Sequence, residues 1–180
     1  RAVFEGSGLP VKTYPYYNSE TGGLRFDEML ASLKQAEEKS VVLLHACCHN
    51  PTGVDLTKAQ WEQLVPVLKE RNLIPFEEDA FAIRLLADQG LSFFVANSFS
   101  KSMSLYGERC GALSVVCPDA AQAVNVLGQM KAIIRRNYSN PPMHGGQLVA
   151  TVLTDPTLRP MWEAEVVAMR DRIQAMRKAL

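Results

Sequence analysis

The 180-residue chain carries 19 basic and 19 acidic side chains and is 47% hydrophobic, so it can bury a sizeable core but has no net field to gather nucleic acid or an anionic membrane surface. No apolar run approaches the ~20 residues of a membrane-crossing helix, and the first residues have no signal-peptide pattern. Cys47, Cys48, Cys110 and Cys117 fall in or beside apolar runs, the usage expected of reduced thiols in cytoplasm and not of a disulfide framework.

Residues 1–25 are turn-rich, with Gly6, Gly8, Pro10, Pro15, Gly22 and Gly23 around a strand-like Val11–Tyr14 segment. The rings of Tyr14, Tyr16 and Tyr17 are expected to cover a sheet edge. Asp27 is placed to cap a helix whose apolar face is Met29, Leu30 and Leu33 and which ends in the solvated run Glu37-Glu38-Lys39. Val41–Leu44 is a continuous apolar run, expected to be a parallel strand buried on both faces, and it delivers Cys47 to Gly53 to a strand end. Cys47, Cys48 and His49 do not suggest a metal, because neighbours on a strand point to opposite faces and no second pair stands at ligand spacing. Thr57 with Gln60 makes a capping box, followed by the apolar face Trp61, Leu64, Val65 and Leu68, with a kink expected at Pro66. Asn72–Phe76 reads as a strand, and a helix follows at once over Glu77–Gln89, carrying Ala80, Ile83 and Leu86 and stopping at Gly90. No connecting loop is left between them.

Two further apolar runs, Leu91–Ala96 and Gly111–Cys117, read as buried strands, and the hydroxyl-rich stretch Asn97–Cys110 joins them. Lys101 then sits at a strand end, where ligands of open α/β sheets bind. Arg109 offers a planar fork that matches a phosphate, and Ser98 and Ser100 add hydroxyl donors. A phosphate beside an amine points to pyridoxal phosphate, whose aldehyde condenses with a partly buried lysine as a Schiff base. The bland alternative is a solvated surface lysine. Pro118-Asp119 opens a helix with Ala123, Leu127, Met130 and Ile134 on one face, so Arg135 emerges at its far end, with Arg136 as runner-up. Offsetting the dipole of the helix C-terminus would account for both cations without a ligand. His144 has no chelating neighbour in sequence and reads as packed or solvated. Trp162, Val166, Met169, Ile173, Met176 and Leu180 form a long amphipathic helix whose pattern runs to the last residue, as expected of a helix that continues.

The run Ser98-Phe99-Ser100-Lys101, with Arg109 eight residues beyond the lysine, resembles the Schiff-base and phosphate motif of the class I aminotransferases, fold-type I pyridoxal-phosphate enzymes that include the aspartate and aromatic amino acid aminotransferases. His49-Asn50-Pro51-Thr52-Gly53 is similar to the family's Asn-Pro-Thr-Gly segment, and Arg135-Arg136-Asn137-Tyr138-Ser139-Asn140-Pro141-Pro142 looks like its stretch of substrate contacts across a dimer interface. The wording around the lysine looks closest to bacterial aromatic members. The resemblance covers nearly the whole chain.

It implies an α/β fold of three layers, a mainly parallel sheet with helices on both faces. Residues 1–155 would be part of the large, cofactor-binding domain, and residues 156–180 the start of a long helix leading toward a small domain. Lys101 is implied as the catalytic lysine. Asn50, Ser98, Ser100 and Arg109 are implied around the cofactor, with the Asn50-Pro51 bond cis and the Asn50 amide facing the pyridoxal oxygen. Arg135, Ser139 and Asn140 are implied at the substrate, in a neighbouring subunit of a homodimer. The implied reaction is a ping-pong transfer, through pyridoxamine phosphate, between aromatic and dicarboxylic amino acids and 2-oxoglutarate. Against the family pattern, about a dozen residues around an aspartate and a tyrosine that hold the pyridine ring have no counterpart between Phe76 and Glu77, and Asp79 does not take the aspartate's place. Another fold-type I reaction, a lyase or a decarboxylase, or a non-catalytic binding protein of this shape, are the alternatives.

Overall fold

The computed structural model describes residues 2–45, 49–77 and 80–179. These form two compact units, Arg1–Val95 with Ser114–Val124, and Ala96–Leu113 with Asn125–Leu180.

The first unit begins with α1 (Ala2–Gly6) and a small antiparallel hairpin of β1 (Tyr17–Asn18) and β2 (Gly23–Leu24). Val11–Tyr14, read from sequence as strand-like, is irregular: Pro10 and Pro15 bracket it and give no N–H to a ladder. Its tyrosine instead reaches sideways, the Tyr14 hydroxyl donating to the Leu43 carbonyl at 2.6 Å. Helix α2 (Phe26–Lys34) buries Met29 and Leu33 as its spacing requires. Asp27 is not its cap. The N-cap is Arg25, which makes no side-chain cap bond, and Asp27 lies in the first turn, where its charge complements the helix dipole.

The main sheet has the order β3-β4-β5-β6, with β3 at Val41–Leu43, β4 at Ile74–Glu77, β5 at Phe93–Ser98 and β6 at Gly111–Val116. The pairs β3/β4 and β4/β5 are parallel, in register Val42 to Pro75 and Phe76 to Phe94. Strands alternate with α3 (Lys58–Glu70) and α4 (Ala80–Asp88), which makes the chain an α/β protein with a mainly parallel sheet. The expectation that Val41–Leu44 is buried on both faces is corrected. Val42 is 5% exposed and Leu44 1%, but Val41 is 50% exposed and Leu43 39%. The pleat sends alternate side chains to opposite faces, and on this terminal strand only one face meets the core.

That core is one cluster in which Trp61, Leu64, Val65 and Leu68 of α3 meet Met29, Val42, Leu86 and Phe93. The start of α3 is set by the capping box foreseen in the sequence, Thr57 accepting from the Gln60 N–H while Gln60 accepts from the Thr57 N–H. The helix is unbroken through Pro66, which lies on its exposed side. After β4 the helix starts at Ala80 and not at Glu77, which still belongs to the strand; Asp79 lies outside the described residues. Gly90, with φ +72, closes this part of the chain as read.

The second unit consists of the loop between β5 and β6, most of α5 (Ala120–Asn137), α6 (Met143–Thr154) and α7 (Leu158–Ala179). Its apolar stripes are largely open: neither α5 nor α7 has a buried residue, and Leu127 and Ile173 are 50% and 55% exposed. Helix α6 is different, burying Gly145 and Val149 and packing against α7. Among the described residues no helix is long and apolar enough to cross a membrane.

Candidate active site

The loop after β5 is short of regular structure but dense in local bonds. The Phe99 N–H donates to the Cys110 carbonyl at 3.2 Å, closing the loop at its neck. Inside it, the Ser104 N–H reaches the Lys101 carbonyl at 3.2 Å and the Met103 and Leu105 N–H groups both reach the Phe99 carbonyl at 3.3 Å. The Ser100 N–H donates to Ser98 Oγ at 3.3 Å, which turns the chain just before the lysine. Ser104 and Arg109 have φ of +55 and +52, a left-handed conformation that side chains with a Cβ adopt only where surroundings enforce it.

Lys101 is exposed, so the partial burial expected of it does not hold. Its Nζ lies 4.3 Å from the centre of the Tyr106 ring, and the Arg109 guanidinium carbon lies 5.3 Å from the same ring. One aromatic ring thus gathers both cations that the sequence singled out. Arg109 Nη1 also donates to the Tyr106 carbonyl at 3.2 Å, which engages one of five guanidinium donors and leaves the fork able to grip an anion. Sequence reasoning passed over Tyr106, although its place five residues beyond the lysine and three before the arginine was in view. It also passed over two helical contacts to this loop. Trp162 Nε1–H of α7 donates to the Ser102 carbonyl at 2.8 Å, and a Cβ built on Gly145 of α6 would stand 2.9 Å from Cys110 Cβ and 3.2 Å from Glu108 Cβ.

The same unit holds the residues foreseen at the substrate. The Arg135 guanidinium donates to the Ser139 hydroxyl four residues on, with Ser139 at φ +71 and the Asn140 N–H bonded to the Tyr138 carbonyl at 2.9 Å. Arg135, Ser139 and Asn140 are all exposed.

Asn50 belongs to the first unit, in a turn built from side chains. The Asn50-Pro51 bond is cis, as expected, and Gly53 has φ +67. The Gly53 N–H donates to the His49 carbonyl at 2.7 Å, the His49 N–H to Asp55 Oδ1 at 2.9 Å and the Val54 N–H to Thr52 Oγ1 at 3.2 Å. His49 Nδ1 meets Thr52 Oγ1 at 2.8 Å, and the His49 ring stacks on Tyr16 with centroids 4.0 Å apart. The tyrosine hydroxyl in turn donates to the Val54 carbonyl at 2.7 Å. Burial, and next the nearby His45, hold the His49 imidazole below its ordinary pKa, against an opposing pull from Asp55. Asn50 itself is exposed. Cys47 and Cys48 lie outside the described residues, and among the described ones no three His, Cys, Asp or Glu converge for a metal.

Comparison with known proteins shows the family and the fold. The family model for aminotransferase class I and II matches residues 1–180. A tyrosine aminotransferase of Klebsiella pneumoniae is 55% identical over 191 residues, covering 99% of this chain and 48% of that protein. An aspartate aminotransferase of Pseudomonas aeruginosa is 50% identical, covering 100% and 48%. The crystal structure of an aromatic-amino-acid aminotransferase from Burkholderia pseudomallei, covalently bound to pyridoxal phosphate, superposes with a TM-score of 0.94 at 52% identity, over 99% of this chain and 48% of that one. The chain therefore spans about half the length of the relatives it matches. An alignment of 191 positions against a chain of 180 residues leaves at least 11 positions unmatched (191 − 180).

Proposed function

This chain belongs to the class I and II aminotransferases, and from that we propose that the protein is a pyridoxal-phosphate-dependent aminotransferase acting on aromatic and dicarboxylic amino acids with 2-oxoglutarate as acceptor. The observation that carries the reading is the loop in which Lys101 and Arg109 both lie over the ring of Tyr106. A primary amine and a phosphate-gripping fork held a few residues apart are the donor set that this cofactor needs.

The cofactor supplies an electron sink for the charge that develops when a substrate loses its α-proton. The residues of this chain do the rest. Lys101 would hold the cofactor through its Nζ and, when that amine is free, would move the proton at the substrate α-carbon. Arg109, with the hydroxyls of Ser98 and Ser100, grips the phosphate. The Asn50 amide would serve as a hydrogen-bond donor to the cofactor. Arg135 holds the distal carboxylate of a dicarboxylic substrate, with Ser139 orienting its guanidinium and Asn140 beside it, reaching into the neighbouring subunit of a cytoplasmic homodimer. Residues 1–155 form part of the large domain, and 156–180 begin the helix toward a small one.

A non-catalytic relative of the same shape is favoured by one observation, the 11 or more positions of the relatives that have no residue here. Borohydride reduction in the presence of pyridoxal phosphate separates the two. An aminotransferase gives a visible absorbance band that reduction bleaches while leaving the pyridoxyl group fixed on the peptide containing Lys101, and Lys101→Ala loses both the band and the label. Labelling on another lysine, or none, overturns the assignment.

A further inference from the structure

We infer that Trp162 is a positioning residue for Lys101, its indole N–H holding the loop backbone at Ser102 so that the neighbouring lysine presents its amine to the cofactor. The inference rests on the cofactor reading above. The bonds inside the loop are long, 3.2 Å from Ser104 to Lys101, 3.3 Å from Met103 and Leu105 to Phe99, and 3.5 Å from the Ser102 hydroxyl to the Ser98 carbonyl. They span only a few residues each, so they shape the turn without tying it to anything outside. Two of its residues also stand at positive φ, a conformation that persists only when something external over-determines it.

Trp162 supplies such a tie. Its bond to the Ser102 carbonyl is 2.8 Å long and joins positions 60 apart in sequence. Trp162 is half-buried on a helix in which no residue is fully buried; the loop contact gives this indole a partner that the apolar stripe of α7 does not need. Ser102 follows Lys101 directly, so its carbonyl lies in the second peptide plane beyond the lysine Cα, and a shift there reaches the lysine through the single intervening Cα of Ser102. The other end of the loop is seated by α6, where Gly145 leaves no space for a side chain against Cys110 and Glu108. Since α6 and α7 pack on each other, one helical pair holds the loop near both ends of the Lys101 to Arg109 segment, at Ser102 and at Glu108 and Cys110.

The test uses Trp162→Phe in the full chain, which keeps an aromatic ring and deletes the N–H. Losing one such bond predicts a roughly 3- to 10-fold faster amide exchange at Met103, Ser104 and Leu105 without cofactor, and a weakening of pyridoxal phosphate binding by a similar factor. Amides of α3 around Leu64 and Leu68 keep wild-type exchange and report that the core is folded. Unchanged loop exchange overturns the inference, and so does faster exchange with wild-type cofactor affinity and wild-type borohydride labelling of Lys101. Failure of the wild-type protein to be labelled at Lys101 is a separate result that strikes the cofactor reading itself, whereas the exchange measurement needs no cofactor.

Discussion

Gly145 and Gly146 stand side by side in α6, and replacing each by alanine should move stability in opposite directions. Alanine in place of an exposed helical glycine stabilises by roughly 0.5–1 kcal/mol, because the glycine loses more backbone entropy on folding. At Gly146 nothing lies within 4 Å of the added Cβ, so Gly146→Ala should gain that amount. At Gly145 the added atom would meet Cys110 Cβ at 2.9 Å, Glu108 Cβ at 3.2 Å and Cys110 Sγ at 3.3 Å. The two β-carbons are rooted on the backbone and cannot swing away, so the loop or the helix has to move. Overpacking of this kind costs about 1–3 kcal/mol, which exceeds the helical gain, and Gly145→Ala should lose on the order of 1 kcal/mol net. For a chain of this size that lowers the melting temperature by roughly 2–4 °C. Thermal unfolding of the two variants beside wild type, followed by circular dichroism, makes the measurement. Gly145→Ala as stable as Gly146→Ala would refute the close approach of α6 to the lysine loop.

Arg109→Ala should weaken pyridoxal phosphate affinity by about 100-fold, the loss of a charge-assisted bidentate pair, whereas Lys39→Ala, at an exposed position with φ 63, should leave it unchanged; equal effects in an equilibrium titration would remove Arg109 from the phosphate. A pH effect follows from His49, whose folded pKa lies below the ordinary imidazole value. The unfolded chain then takes up its proton first, so stability falls as pH drops through about 6.5 and levels off below the folded value. Denaturant melts of wild type and His49→Gln across that range should show the extra acid loss in wild type alone, and parallel pH curves would rule out this role for His49.

Much of the first unit follows from local rules that need nothing beyond neighbouring residues. The capping box at Thr57 and Gln60 is a contact across three positions, and the buried face of α3 is a consequence of helical period, so both can be read from the chain. The lysine loop was visible for a similar reason: two apolar runs of strand length bracket it, and its residue types state a chemistry before any fold is known. The local reading failed where a neighbour distant in sequence decides. Val41 and Leu43 are as apolar as Val42 and Leu44, and only the sheet, which offers this strand a single covered face, tells them apart. Asp27 and Arg25 are two positions apart, and where the backbone turns into α2 decides which one caps. The placement of Tyr106 under two cations, the reach of Trp162 across 60 positions to Ser102 and the lack of room at Gly145 leave no period or spacing in the sequence. The first depends on how the loop folds on itself, and the other two arise because α6 and α7 come back to the loop in space, where a hydrogen bond or a steric contact depends on distance, whatever the separation along the chain.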